Sequence, residues 1–106
     1  MKYELAQIRK KIFYLSNRDK SVSRFIMLTQ RATEILKKYR STLPQDGHYP
    51  SNLDLTISQL EARIDKLESY EDLHGPKRKH FFLSAARQDI WSDLNTFMNS
   101  NNQIPA

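Results

Sequence analysis

The stretch "LDLTISQLEARIDKL", residues 53–67, decides how this chain is read. Leu53, Ile57, Leu60, Ile64 and Leu67 recur at steps of four, three, four and three. A helix turning about 100° per residue places all five on one stripe, whereas a strand would divide them between two faces. Heptad spacing of this kind is a seam along which one helix lies lengthwise against others. The segment is therefore expected to be one member of a helical bundle.

Working outward, the seam is bounded on both sides. Upstream lies "TLPQDGHYPSN", residues 42–52, whose two prolines and Asp-Gly make it the longest expected loop. Ser51, with Asp54 three positions on, resembles a capping box opening the helix. Downstream, Gly75-Pro76 is expected to end it.

Three more segments carry the same period. In residues 21–41, Val22, Phe25, Ile26, Thr29, Ala32, Thr33, Leu36 and Tyr39 form a main face that Leu28 and Ile35 widen. An arc that wide predicts contact with two neighbours. Before it, Leu5, Ile8, Ile12 and Leu15 mark a helix over residues 3–16, and the short link "NRDKS" predicts an antiparallel return. After Gly75-Pro76, Leu83, Ala86, Ile90, Leu94 and Phe97 mark a helix over 79–99. The fold class expected is all-α, an antiparallel four-helix bundle in residues 1–99 followed by a polar tail over 100–106.

The totals fit one small domain: 106 residues, 39% hydrophobic and 27% charged, with two Gly and four Pro. The absence of Cys removes disulfides, thiol nucleophiles and cysteine zinc sites. The N-terminus "MKYELAQIRKK" is charged where a signal peptide needs an apolar run, and no stretch is apolar enough for a transmembrane helix. A cytoplasmic protein is expected, or one exported without a cleaved signal. The net charge of +5 is unevenly spread. Residues 1–50 hold 11 Lys/Arg against 4 Asp/Glu, a balance of +7, and residues 51–106 hold 6 against 8, a balance of −2. Such asymmetry points to organised electrostatics rather than a uniformly basic coat.

Little suggests catalysis. None of the phosphate-loop, dinucleotide, zincin or nucleophile-elbow patterns occurs. His48, His74 and His80 fall in a loop, at a helix end and beside a basic run, and read as exposed loop histidines. With Asp72, the last two do not share a helical face, so no metal site and no cofactor are expected. Glu61, Asp65 and Glu68 share a face but look solvated, and acid/base work needs burial to separate their pKa values.

Charge and aromatic stripes remain. Asp54, Glu61, Asp65, Glu68 and Asp72 make an acidic flank on the third helix. Lys20, Arg24, Arg31 and Lys38 line the back of the second, three of them at heptad steps. Both read first as solvated flanks, and second as docking strips. Tyr3, Lys10 and Tyr14 form a second face on the first helix, with Phe13 and Arg9 on its flank; Tyr and Arg are enriched where proteins bind. On the fourth helix Arg87, Trp91 and Met98 edge the core line, while Phe81 points away as a candidate anchor. Lys77, Arg78 and Lys79 follow Pro76, where cations oppose the helix dipole. They are either a solvated turn or, with free N–H groups, an anion site.

These features favour binding over chemistry. A non-enzymatic protein-interaction module (adaptor, inhibitor or regulatory subunit) is expected to meet a protein partner through Tyr3, Lys10, Tyr14, Arg24, Arg31 and Phe81. A second copy of the chain is another partner the charges admit. The alternative is a small basic nucleic-acid-binding regulator working through the second helix, motivated by the pI near 9.6. An anionic-lipid contact is weaker, because that basic face lacks bulky apolar insertion residues.

Overall fold

The structure, a computed structural model, describes residues 1–15, 21–43, 52–70 and 79–100. They form four helices, and no strand occurs among the described residues: α1 (Lys2–Phe13), α2 (Ser21–Ser41), α3 (Leu53–Glu68) and α4 (Lys79–Ser100). None of these helices is long and apolar enough to cross a membrane.

Each helix lies against the next in sequence, and α4 returns against α1 to close the ring. α2 and α4 also touch across the centre, whereas α1 and α3, on the other diagonal, do not. Neighbours run antiparallel. Residues 9, 13 and 15 of the first segment meet 95, 91 and 87 of α4 in turn. Lys37 and Arg40 of α2 meet Glu61 and Asp54 of α3. The all-α antiparallel bundle read from the periodicity is the observed fold.

The core is built from the predicted stripes. Leu5, Ile8 and Ile12, then Phe25, Leu28, Ala32 and Leu36, then Leu53, Ile57, Leu60 and Leu67, then Leu83, Ile90, Leu94 and Phe97 are buried in one cluster. Ile64 is only half-buried and lines a groove between α2 and α3. Met98, read as a flank residue, is buried in the same cluster. Thr29 and Thr33 are buried too, and each hydroxyl donates back one turn, to Phe25 O at 2.6 Å and Thr29 O at 2.8 Å. Those bonds remove the cost of an unpaired polar group in the core.

Helix ends differ from expectation at three places. α1 stops at Phe13, three residues early, because the chain tightens: Leu15 N–H donates to Ile12 O at 3.2 Å, an i to i−3 bond. α3 opens at Leu53 behind Asn52, which holds φ at 65°, a left-handed geometry that Asn tolerates better than most residues. Asn52 makes no side-chain cap bond and Asp54 faces Arg40; Ser51, the other half of the expected capping box, lies outside the described residues. α3 then ends at Glu68, well before Gly75-Pro76. Ser69 Oγ donates to Lys66 O at 3.2 Å, and Tyr70 turns inward, its ring 4.7 Å from that of Phe82. Residues 44–51, 71–78 and 101–106 lie outside the described residues, so most of the expected tail does as well.

One side chain joins three helices. Arg87, half-buried on α4, donates from Nη2 to Leu15 O just past the end of α1, and its guanidinium lies 5.9 Å from the ring centre of Phe25 in the second turn of α2. A cation there also interacts favourably with the negative end of the α1 dipole. Replacing Arg87 by Ala removes a charge-assisted bond, a cation–π contact and packed methylenes. Chemical denaturation should show a loss of about 2–3 kcal/mol with helix content retained. Arg87→Lys should recover only part of it, because an ammonium lacks the planar fork.

Candidate functional site

Where α1 meets α4 the surface is cleft. A groove of about 510 Å³ is lined on α1 by Ala6, Gln7, Arg9, Lys10 and Phe13 and just past its end by Tyr14; Trp91 and Asn95 line the α4 side. The 3.6-residue period produces this arrangement: Arg9 and Phe13 sit one turn apart on the α1 flank facing α4, and Trp91 and Asn95 sit one turn apart on the α4 flank facing back. Arg9 Nη1 donates to Asn95 Oδ1 at 2.7 Å across the cleft. Phe13 stands edge-on to Tyr14 with ring centres 5.1 Å apart, and lies 6.4 Å from Trp91. Three rings therefore run together along the cleft, with Arg9 and Lys10 beside them and no carboxylate in the lining. Phe13 is 53% exposed and Tyr14 73%, so these rings face water rather than completing the core.

Of the six residues expected to bind a partner, the structure brings two together here, Lys10 and Tyr14. Tyr3 is 69% exposed but lies about 16 Å along α1 from Tyr14, outside the lining. Phe81 is 77% exposed and about 15 Å along α4 from Trp91. Arg24 and Arg31 are exposed on α2, on a different side of the bundle. Lys79 is the first residue of α4; Lys77 and Arg78 lie outside the described residues, and so does the choice between turn and anion site. Sequence reasoning left Phe13, Trp91 and Asn95 off the site. Phe13 and Arg9 were visible as a flank, but only the register of α1 on α4 sets them against Trp91.

The two charge stripes have unequal fates. Glu61 pairs with Lys37 at 3.2 Å and Asp54 with Arg40, so the acidic flank of α3 is held partly by the adjacent helix. Glu34, Asp65 and Glu68 have no cation within 4 Å among the described residues, nor do Arg24, Arg31 and Lys38 have a carboxylate. The α2 cations thus fall into an engaged pair facing α3 and an outward row.

No set of described residues could hold a metal ion. His48, His74 and Asp72 lie outside the described residues, as does the side chain of His80. A partly buried acid does occur, between α3 and α4 and away from the cleft. Asp93, its side chain 10% exposed, accepts from Arg63 Nε at 3.2 Å, while Arg63 Nη1 lies 3.6 Å from Asp89. Burial raises the Asp93 pKa above its ordinary value, outweighing the bond and charge of Arg63, and Asp89 adds to the rise. The native state therefore holds this proton at pH values where the unfolded chain releases it. Its contribution to stability is present in full below the unfolded-state value near 3.8 and is lost as pH climbs through the raised one. The stability difference between wild type and Asp93→Asn, followed by denaturant titration from about pH 4 to pH 7, should shift towards the variant as pH rises. A pH-independent difference would remove Asp93 as the source.

Compared with models of known protein families, with curated proteins and with solved structures, the chain matches none of them.

Proposed function

We propose that the protein is a non-enzymatic interaction module that docks a protein partner in the α1–α4 cleft. The observation that carries this reading is the three-ring row of Tyr14, Phe13 and Trp91, in which Phe13 and Tyr14 are more than half in water and Trp91 is partly buried, flanked by Arg9 and Lys10. Isolated surface aromatics need no explanation, but a contiguous aromatic patch with a charged rim is characteristic of binding surfaces. Aromatic rings and Arg supply most binding energy at protein interfaces. With two cations and no carboxylate, the cleft suits a segment that presents an apolar side chain beside acidic ones. The same-sign charge disfavours pairing of this face with itself.

The outward cations of α2 motivate the second reading, in which the chain binds nucleic acid. One experiment separates the two. Affinity purification from lysate is split into nuclease-treated and untreated halves, using wild type, Phe13→Ala with Tyr14→Ala, and Arg24→Glu with Arg31→Glu. A protein retained in both halves, lost with the aromatic variant and kept with the charge-reversed one, is expected. Loss of one such contact should weaken binding by about tenfold or more. Trp91 is the sole tryptophan, so its emission should shift to the blue when the purified partner covers the cleft. Recovery that disappears with nuclease and with Arg24→Glu/Arg31→Glu assigns the function to α2 instead.

A further inference from the structure

We propose that two copies of this chain associate by seating the cationic ridge of α2 (Arg24, Met27, Arg31 and Lys38) on the acidic α2–α3 groove of the other copy. This surface is separate from the α1–α4 cleft and does not rest on the reading given to it.

The ridge has no ion-pair partner among the described residues. Lys37 and Arg40, on the same helix, reach α3 carboxylates, whereas Arg24, Arg31 and Lys38 are exposed with no carboxylate within 4 Å among the described residues. Met27, 57% exposed, lies one turn from Arg24 and from Arg31, which puts an apolar side chain in the middle of the row.

Its complement lies on the same chain. The groove between α2 and α3, about 340 Å³, is lined by Thr33, Glu34, Lys37, Glu61, Ile64 and Asp65, among others. Three carboxylates face one ammonium there, and that ammonium is already paired with Glu61. Half-buried Ile64 offers Met27 an apolar contact, and Glu68 continues the acidic line one turn beyond Asp65. The spacing agrees as well. Arg24, Arg31 and Lys38 advance by seven residues, about 10.5 Å, and so do Glu61 and Glu68 along the groove side of α3.

A second copy fits better than an unrelated polyanion because both surfaces border α2. Each copy offers ridge and groove side by side, so one two-fold axis can satisfy both contacts at once and leave none open. Exposed ion pairs are individually weak and salt-screened, so the association belongs to high protein concentration and low salt.

Sedimentation equilibrium of the full chain tests this. At low salt and high concentration the weight-average mass should approach twice the 12.5 kDa chain. It should fall towards the monomer at about 0.5 M salt, where screening is within a few Å. Arg24→Glu with Arg31→Glu should be monomeric at low salt, and so should Asp65→Lys with Glu68→Lys. An equimolar mixture of these two variants should recover the dimer, since each reversed surface then meets its opposite. Circular dichroism checks that the helices persist; if Glu disturbs α2, Arg24→Gln with Arg31→Gln replaces it. A wild type that stays monomeric at low salt overturns the proposal. So does a dimer that survives in both reversed variants, or a mixture that stays monomeric. Monomeric wild type that instead retains single-stranded DNA through Arg24 and Arg31 overturns it in favour of a polyanion.

Discussion

The guanidinium of Arg87 fixes one end of this bundle. It binds the carbonyl just past α1 and lies over Phe25 near the start of α2, so three helices meet at one side chain. From that point the α1–α4 register follows by helical repeat. Four residues along α4, Trp91 meets Phe13; four further, Asn95 meets Arg9. The cleft is the surface consequence of this ladder. Its aromatic wall exists because α1 stops at Phe13 and the chain turns there, leaving Phe13 and Tyr14 beside α4 rather than beneath another turn of helix.

The remaining interhelix contacts are electrostatic and set register more than they add stability. Lys37–Glu61 and Arg40–Asp54 are exposed, and pairs of that kind contribute about 0–1 kcal/mol each. Leu60 and Leu36, fully buried in the core they flank, are each worth more: truncating such a side chain costs about 2–5 kcal/mol. What the pairs do is hold α2 against α3 with one set of cations inward. The other set is thereby left outward at heptad spacing, and α2 becomes a helix with three distinct sides: core, α3 seam and cationic ridge. Arg63 plays a related part on the other flank of α3, meeting Asp89 and Asp93 on successive turns of α4. That contact places a carboxylate where burial works against its charge, so it is a poor source of stability and a good marker of alignment.

Periodicity made the core legible because the helical repeat is local. The stripe residues of all four segments are buried or half-buried as expected, and the bounds of α2 agree at both ends. Features resting on competition between distant groups were not legible. Asp54 could cap its own helix or pair with Arg40, and only the approach of α2 decides. α3 ends at Glu68, before the Gly-Pro signal, and Tyr70 just beyond it lies against Phe82 of α4, a contact that local sequence does not announce. The site shows the same division. Tyr14 and Lys10 were readable as a second face, since that needs only the angle about one axis. Trp91 and Asn95 were not, since their place in the cleft depends on which helix closes the ring.

The core closes without the exposed aromatic side chains. The buried cluster runs continuously through all four helices, and none of Tyr3, Phe13, Tyr14 or Phe81 belongs to it. Rings placed in water gain nothing from burial, whereas their covering by a partner would recover about 25 cal/mol for each Å² of apolar surface removed from water. One such residue alone would be ordinary. Phe13 lies against both Tyr14 and Trp91, so a surface that covered Phe13 would also reach its two neighbours. The cations differ in the same sense. Those on α2 facing α3 already have their counter-charges, whereas Lys10 and the ridge have none among the described residues. Among the described residues, exposed rings and carboxylate-free cations lie together on the α1–α4 cleft, and exposed Met27 lies among the cations of the α2 ridge.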